Sequence, residues 1–345
     1  MPVKTTYCCV LLFILMALCT SAAGQTDRYF MLSNVRARPL AMGGAFTSIE
    51  DDLAAINFNP AAFNLYQSEK PHRVTLFLNP VAPFVGLFQD TDLFKVGRAK
   101  FEDFLVTLSL FLKSIALSVN PFEFGILLGE ENLYLPKFLE SDEIFHTETF
   151  KNNLTHSFVA KLKLADQVSI GGAAFIVYGN DEKILNKQIR KIGLSYGILL
   201  KPEKKLNVGV VFFNLPDSLP KVRLPVERIV DESVNIGISY KAFPQTLFSL
   251  DVRNVVEEQS VVEREVHVGF EQIILSQFAF RAGFFNKKEG NFAVSAGIGI
   301  FDGNSLFSFD NDFDHKNFYI NYAFIYEKAE PENVRWHLLS FFWRI

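Results

Sequence analysis

Residues able to do chemistry are sparse in this chain, and their spacing argues against catalysis. Asp310, Asp312 and Asp314 recur at every second position, as oxygen ligands do at the start of a calcium loop. The sixth position is His315 where that loop needs glycine, and the twelfth is Asn321 where it needs glutamate, so a solvated turn is expected. The six histidines, at 72, 146, 156, 267, 315 and 337, show no ligand spacing, and no metal or cofactor is expected. No nucleophile–base arrangement occurs, so the chain is not read as an enzyme. The acidic pair Asp51-Asp52 has a different setting. It lies after Gly43-Gly44 and just ahead of Leu53-Ala54-Ala55-Ile56, Asn57, and Asn59-Pro60-Ala61. In that setting the chemistry is the holding of backbone. Either carboxylate can cap the short helical pattern and favour its dipole. Gly43-Gly44 permits close approach or positive φ, and Asn59-Pro60 starts a turn.

The elements that must position this segment are strands. Of 345 residues, 49% are apolar and 37 are Phe, yet no run of 18 apolar residues occurs after residue 24, which leaves no spanning helix. From about residue 72 the pattern has period two. Val266, Val268 and Phe270 alternate with Glu265, His267, Gly269 and Glu271; Val234, Ile236, Ile238 and Tyr240 alternate with Ser233, Asn235, Gly237 and Ser239. Successive side chains of a strand face opposite sides, so one face is apolar and the other small or polar. The pattern predicts strands at 72–79, 103–112, 114–128, 156–165, 167–178, 187–200, 206–214, 230–241, 246–254, 263–273, 277–286, 291–301, 317–326 and 335–345. Fourteen is an even number, as closure with both ends on one side requires. Short connections such as Ala165-Asp166-Gln167 alternate with longer ones; 302–316 and 287–290 break the rule.

The fold class expected is therefore all-β: a transmembrane antiparallel barrel of about 14 strands in outer-membrane lipid, with residues 25–71 as an insert ahead of it and 72–345 as the barrel. A soluble β-sandwich also alternates, but the strand length and Phe content favour the barrel. Charges on or near strands, among them Lys161, Lys163, Asp251, Arg253, Arg264, Glu265, Glu271 and Arg281, are expected in the lumen or at the rims. On the lipid face an isolated Arg or Lys costs about 2–4 kcal/mol at the midplane.

Residues 1–24 read as a signal peptide: Lys4, an apolar core from Cys8 to Cys19, and small Ser21-Ala22-Ala23 before the cut. All three cysteines fall in this segment, and its removal leaves an excess of five acidic residues. That balance carries no nucleic-acid signal.

The stretch from Arg36 through Met42-Gly43-Gly44-Ala45, Asp51-Asp52 and Asn59-Pro60-Ala61-Ala62 resembles the N-terminal segment of the FadL-type outer-membrane transporters and the related PorV/PorQ-type barrels. The resemblance covers roughly 28 residues. It implies that 25–71 forms a plug, or hatch, inside the barrel of an outer membrane of Gram-negative type. It further implies passive uptake of hydrophobic compounds such as long-chain fatty acids. Gating is carried over to Asn59, Pro60 and Ala61, where hatch movement would open a path, with Asp51 and Asp52 as anchors to the wall. Gly43, Gly44 and Asn57 complete the hatch set. The alternative is a PorV-like barrel that docks proteins of a secretion system.

The longest connection, 129–155, contains Leu133, Tyr134, Leu135, Phe138, Leu139, Ile144 and Phe145. So much exposed apolar surface needs a use. It is read either as a capture site for a fatty-acid-like ligand or as a lid folded over the barrel mouth.

Overall fold

The computed structural model describes residues 27–32, 35–65, 72–77, 105, 108–109, 111–131, 154–180, 188–214, 233–255, 264–274, 277–287, 292–301, 318–328 and 333–345. Its strands are β1 (Asp27–Leu32), β2 (His72–Phe77), β3 (Leu112–Val119), β4 (Phe122–Glu131), β5 (Leu154–Ala165), β6 (Val168–Asn180), β7 (Gln188–Glu203), β8 (Leu206–Asn214), β9 (Ser233–Phe243), β10 (Thr246–Arg253), β11 (Glu265–Ile274), β12 (Phe278–Lys287), β13 (Phe292–Phe301), β14 (Phe318–Lys328) and β15 (Val334–Arg344). From β2 to β15 each strand pairs antiparallel with the next, and β15 pairs with β2. The result is a closed barrel of fourteen strands. Closure removes the free edges whose N–H and C=O groups would each cost several kcal/mol in lipid.

The wall is apolar outside and polar inside. In β9, Ile236, Ile238 and Tyr240 are exposed while Asn235, Gly237 and Ser239 are buried. In β11, Val266 and Val268 point out, and Glu265, His267 and Glu271 point in. In β15, His337, Leu339, Phe341 and Trp343 form the outer face and Leu338, Ser340, Phe342 and Arg344 the inner. This is the polarity of a barrel with lipid outside it, not of a soluble sandwich. Asp251, Arg253, Glu265, Glu271, Arg281 and Lys161 are all buried on the inner face. Lys163 and Arg264 are exposed near the rims.

Two regions differ from the sequence reading. The strands expected at 103–112 and 114–128 with a turn at Lys113-Ser114 are placed differently. One strand runs from Leu112 to Val119, the turn is at Asn120-Pro121, and the next strand runs from Phe122 to Glu131; described residues 105, 108 and 109 are helical. Lys113 is held inside the wall by an ion pair to Glu130 (3.0 Å), which a turn at that position would break. Asn-Pro is also the stronger turn signal. The two misplacements offset each other, which is why the expected count survives.

The second difference is β1, where no strand is expected. It pairs parallel to β15, Asp27 opposite Val334 through Leu32 opposite Leu339. The closing contact of β15 with β2 covers only Phe342–Arg344 against Thr75–Phe77, continued by reciprocal backbone bonds between Val74 and Ile345. Both strands thus share one edge of β15. The wall also bulges in β4, where the register shifts between Leu127 and Glu130 and Gly129 takes φ of 58°.

The hatch and its anchors as the candidate functional site

Inside this wall lies the segment 35–65, nearly all of it buried. It contains two short helices, α1 (Ala37–Ala41) and α2 (Ala55–Phe58), and a 3-10 turn at Pro60–Ala62. Helix α1 ends because Gly43 and Gly44 adopt φ of 64° and 78°, which a residue with a side chain rarely tolerates. Their amides close back on Leu40 and Pro39 at 3.1 and 2.9 Å.

The wall stitches this glycine turn from several strands. Ser295 Oγ accepts from the Gly43 amide (2.9 Å) and donates to the Ala41 carbonyl (3.0 Å). The Gly43 carbonyl accepts from His267 Nδ1 at 2.6 Å, and the Gly44 carbonyl from Arg253 Nη2. Asp251 Oδ2 accepts from the amides of Phe46 and Thr47, both at 2.9 Å. His267, without metal spacing in the sequence, is thus an anchor for backbone.

The acidic pair divides its work. Asp51 Oδ1 accepts from the amides of Leu53 and Ala54, both at 2.7 Å, capping the turn that leads into α2. Asp51 Oδ2 takes Arg38 Nη1 at 2.8 Å, and Arg38 forks onto Glu271 of the wall at 3.0 and 2.8 Å. Glu271 also accepts from Arg281 Nε at 2.6 Å. One wall carboxylate therefore serves two guanidinium groups, and Asp51 reaches the wall through Arg38. Asp52 reaches it directly, by an ion pair with Arg344 of β15. At the start of the segment, Glu130 accepts twice from the Val35 amide, at 3.1 and 3.0 Å.

Asn59 is the hub of the far end. Its Oδ1 accepts from the Ala61 amide (3.0 Å), and its Nδ2 donates to the carbonyls of Thr47 (2.8 Å) and of Ile198 in β7 (3.3 Å). Ser169 Oγ donates to the Ala61 carbonyl at 2.9 Å. Asn57 Oδ1 accepts from Ser157 at 3.5 Å. Two apolar groups fill the space between: Phe46 and Phe58, with rings 5.4 Å apart, and Leu53, Ile56 and Phe63 against Val159, Val211 and Phe213.

At four of its contacts with the hatch the wall presents glycine and no side chain. A Cβ at Gly171 would lie 2.5 Å from Pro60, and one at Gly283 would run into the backbone of Gly43. At Gly197 it would strike the Asn59 side chain, and at Gly297 the Ala41 methyl.

All eight hatch residues singled out from the sequence (Gly43, Gly44, Asp51, Asp52, Asn57, Asn59, Pro60 and Ala61) therefore lie together in the lumen. The partners Arg38, Glu130, His267, Ser295 and Arg344 were not among them; nothing local marks a residue whose contact lies on a distant strand. The capture residues Leu133 to Phe145, the Asp310–Asp314 segment and residues 1–24 lie outside the described residues. The connection holding the capture residues is shorter than expected, because β4 runs through Glu131 and β5 begins at Leu154.

No protein-family model matches the chain, and no curated protein does. Among solved structures it is similar to the Ralstonia pickettii toluene transporter TbuX, at 11% identity and a TM-score of 0.48, over 90% of this chain and 97% of that one. It is similar to a Pseudomonas aeruginosa FadL homologue, at 11% identity and 0.44, over 93% and 96%. A Rhodopseudomonas blastica porin follows at 7% identity and 0.36, over 67% and 76%. Each score is below 0.5, so the barrel assignment rests on this chain's own strand pairing.

Proposed function

We propose that this protein is an outer-membrane channel for passive uptake of hydrophobic compounds, long-chain fatty acids among them, gated by movement of the N-terminal hatch. The observation that carries the reading is how the hatch is held. Ser295, His267, Arg253 and Asp251 bind its main chain from the wall by one or two hydrogen bonds each. Such bonds exchange with water or ligand at a net cost of about 1 kcal/mol for the neutral partners and about 1.5–3 kcal/mol for the charged ones. After signal-peptide removal the chain has no cysteine, so no disulfide locks the plug.

The filling supports hydrophobic rather than hydrophilic cargo. Phe46, Ile49, Phe58 and Leu247 form one apolar cluster between hatch and wall, where a pore for polar solutes would hold water. In this reading the apolar outer loop captures the ligand and passes it to these clusters. A shift near Asn59-Pro60-Ala61 then lets it through, with no energy source beyond its gradient. Export by the signal peptide brings the chain to the outer membrane of a Gram-negative-type cell.

The test is uptake of a labelled long-chain fatty acid by Gram-negative cells lacking their own transporter. The parent is compared with a variant in which Asn59-Pro60-Ala61 is replaced by Gly-Ser-Gly. Uptake by the parent and its loss in a folded, inserted variant is the expected result. Absence of uptake by a correctly inserted parent sinks the fatty-acid reading.

A further inference from the structure

At the end of the barrel opposite the Asn120-Pro121 turn, two cations stand on the outward side of the wall. Lys328 closes β14 and is exposed. Arg335, near the start of β15, shares the outward register of His337 and Leu339 and pairs across the strands with Tyr326. Lys328 lies two residues beyond Tyr326 on the same face, so the two cations are diagonal neighbours within reach of each other's long side chains. On the other side of β15, Arg28 of β1 stands opposite Arg335 in register. The short turns of an outer-membrane barrel face the periplasm. The patch therefore lies at the level of the outer leaflet's headgroups.

Other cations of the wall are taken up by carboxylates: Lys113 by Glu130, Arg281 by Glu271, and Arg344 by Asp52. Lys328 and Arg335 have no such partner among the described residues. Lys328 lies over the Phe292 ring, 6.0 Å from its centroid. Arg335 is 9% exposed, and its Nη1 is buried without a hydrogen bond. A buried guanidinium nitrogen left in this way calls for a partner. Nearer the membrane centre the same face carries a second polar pair, the Tyr322 hydroxyl and His337 Nδ1 at 2.8 Å, with the Phe324 ring 5.2 Å from the imidazole. By contrast, β9 and β11 present Ile236, Ile238, Val266 and Val268 to lipid.

We propose that this face binds a phosphorylated glycolipid of the outer leaflet, its phosphate held between Lys328 and Arg335. A phosphate accepts from a guanidinium through two oxygens at once and so supplies the partner that Nη1 lacks, while the lysine adds a point charge. Both side chains are long enough to swing their heads to the headgroup level while their stems stay on the apolar wall. The sugar lies against Tyr326 and Phe292, and the acyl chains run down past Phe324 and Leu339. The Tyr322–His337 pair offers hydrogen bonds to the amide and ester linkages that follow the sugar. A simple phospholipid has no sugar to meet the aromatic rings. The ligand is a component of the membrane and not cargo, so the site does not depend on the uptake reading.

The probe is bis-phosphorylated lipid A, added to the full-length mature protein in detergent micelles and followed by native mass spectrometry. Phosphate-free lipid A of the same acyl composition is the uncharged control, and phosphatidylglycerol the anionic one. Lipid A should bind at least about tenfold more tightly than its phosphate-free form, as one charge-assisted contact implies. Lys328→Gln and Arg335→Gln should each lower its affinity about tenfold. Lys204→Gln, in the turn between β7 and β8, should leave it unchanged. If Arg335→Gln fails to insert, the exposed Lys328→Gln decides alone. Equal binding of phosphate-free lipid A, equal binding of phosphatidylglycerol, or a loss in Lys204→Gln matching that in Lys328→Gln overturns the proposal.

Discussion

Asp52 of the hatch and Arg344, the penultimate residue, form a buried ion pair across a sequence separation of 292 residues. Arg344 also donates to the Tyr319 hydroxyl and lies over its ring, 4.2 Å from the centroid. The last strand thus closes the wall and fastens the plug with one side chain. Replacing Arg344 by Ala removes one partner of the buried Asp52 carboxylate, and breaking a buried pair in this way costs about 3–5 kcal/mol. Urea unfolding of the protein in vesicles should register that loss, and the double variant Arg344→Ala with Asp52→Asn should recover part of it.

Asn59 joins two parts of the hatch to each other and both to β7. Asn59→Ala removes the bonds to Ala61, Thr47 and Ile198 and leaves the Ala61 amide and the Thr47 carbonyl seeking partners. Each buried group left unsatisfied costs about 1–3 kcal/mol. Limited proteolysis from the turn side should cut the hatch of this variant faster than that of the parent while the barrel stays intact. Equal cutting rates would contradict the hub role.

Gly283 faces Gly43 with no space for a side chain. In Gly283→Val neither backbone can yield without breaking strand pairing or the glycine turn, and overpacking of this kind costs about 1–3 kcal/mol. The expected result is a folded barrel whose hatch is displaced, read as a higher single-channel conductance in planar bilayers. Conductance equal to the parent's would show that the hatch does not rest on this wall.

Ile198 is 46% exposed on the outer face of β7, whereas Ser195 on the same strand is fully buried. Ile198→Lys should lower folding yield into vesicles, since a lysine facing lipid costs up to about 2–4 kcal/mol at the midplane. Undiminished yield would mean that this face does not meet lipid.

Much of the wall was legible because one rule governs it. In β14, Ile320, Tyr322 and Phe324 point out and Tyr319, Asn321 and Ala323 point in, as the alternation of that stretch requires. The rule fails where apolar residues sit on both faces. Between 101 and 119 it could not tell strand from helix or locate the turn, although Asn120-Pro121 carried the signal. The hatch was legible as a compact insert through its glycines, prolines and acids. Wall charges such as Glu271 and Asp251 were legible as luminal, but which part of the hatch each one holds was not, and His267, Ser295 and Arg344 gain their meaning only from closure, which brings distant strands around one segment. Strand β1 escaped for a related reason: six residues too short for a pattern find their place only against the edge of β15.

The glycines of the wall carry a final consequence. Where Gly171, Gly197, Gly283 and Gly297 face inward, the plug occupies space that wall side chains would otherwise fill. Deleting residues 35–65 would therefore not leave a narrow residual passage. It would open a wide aqueous leak at that level, and cells carrying the deletion should become sensitive to bulky polar antibiotics that the outer membrane normally excludes. The permeability barrier, on this view, is a property of the plug rather than of the barrel around it.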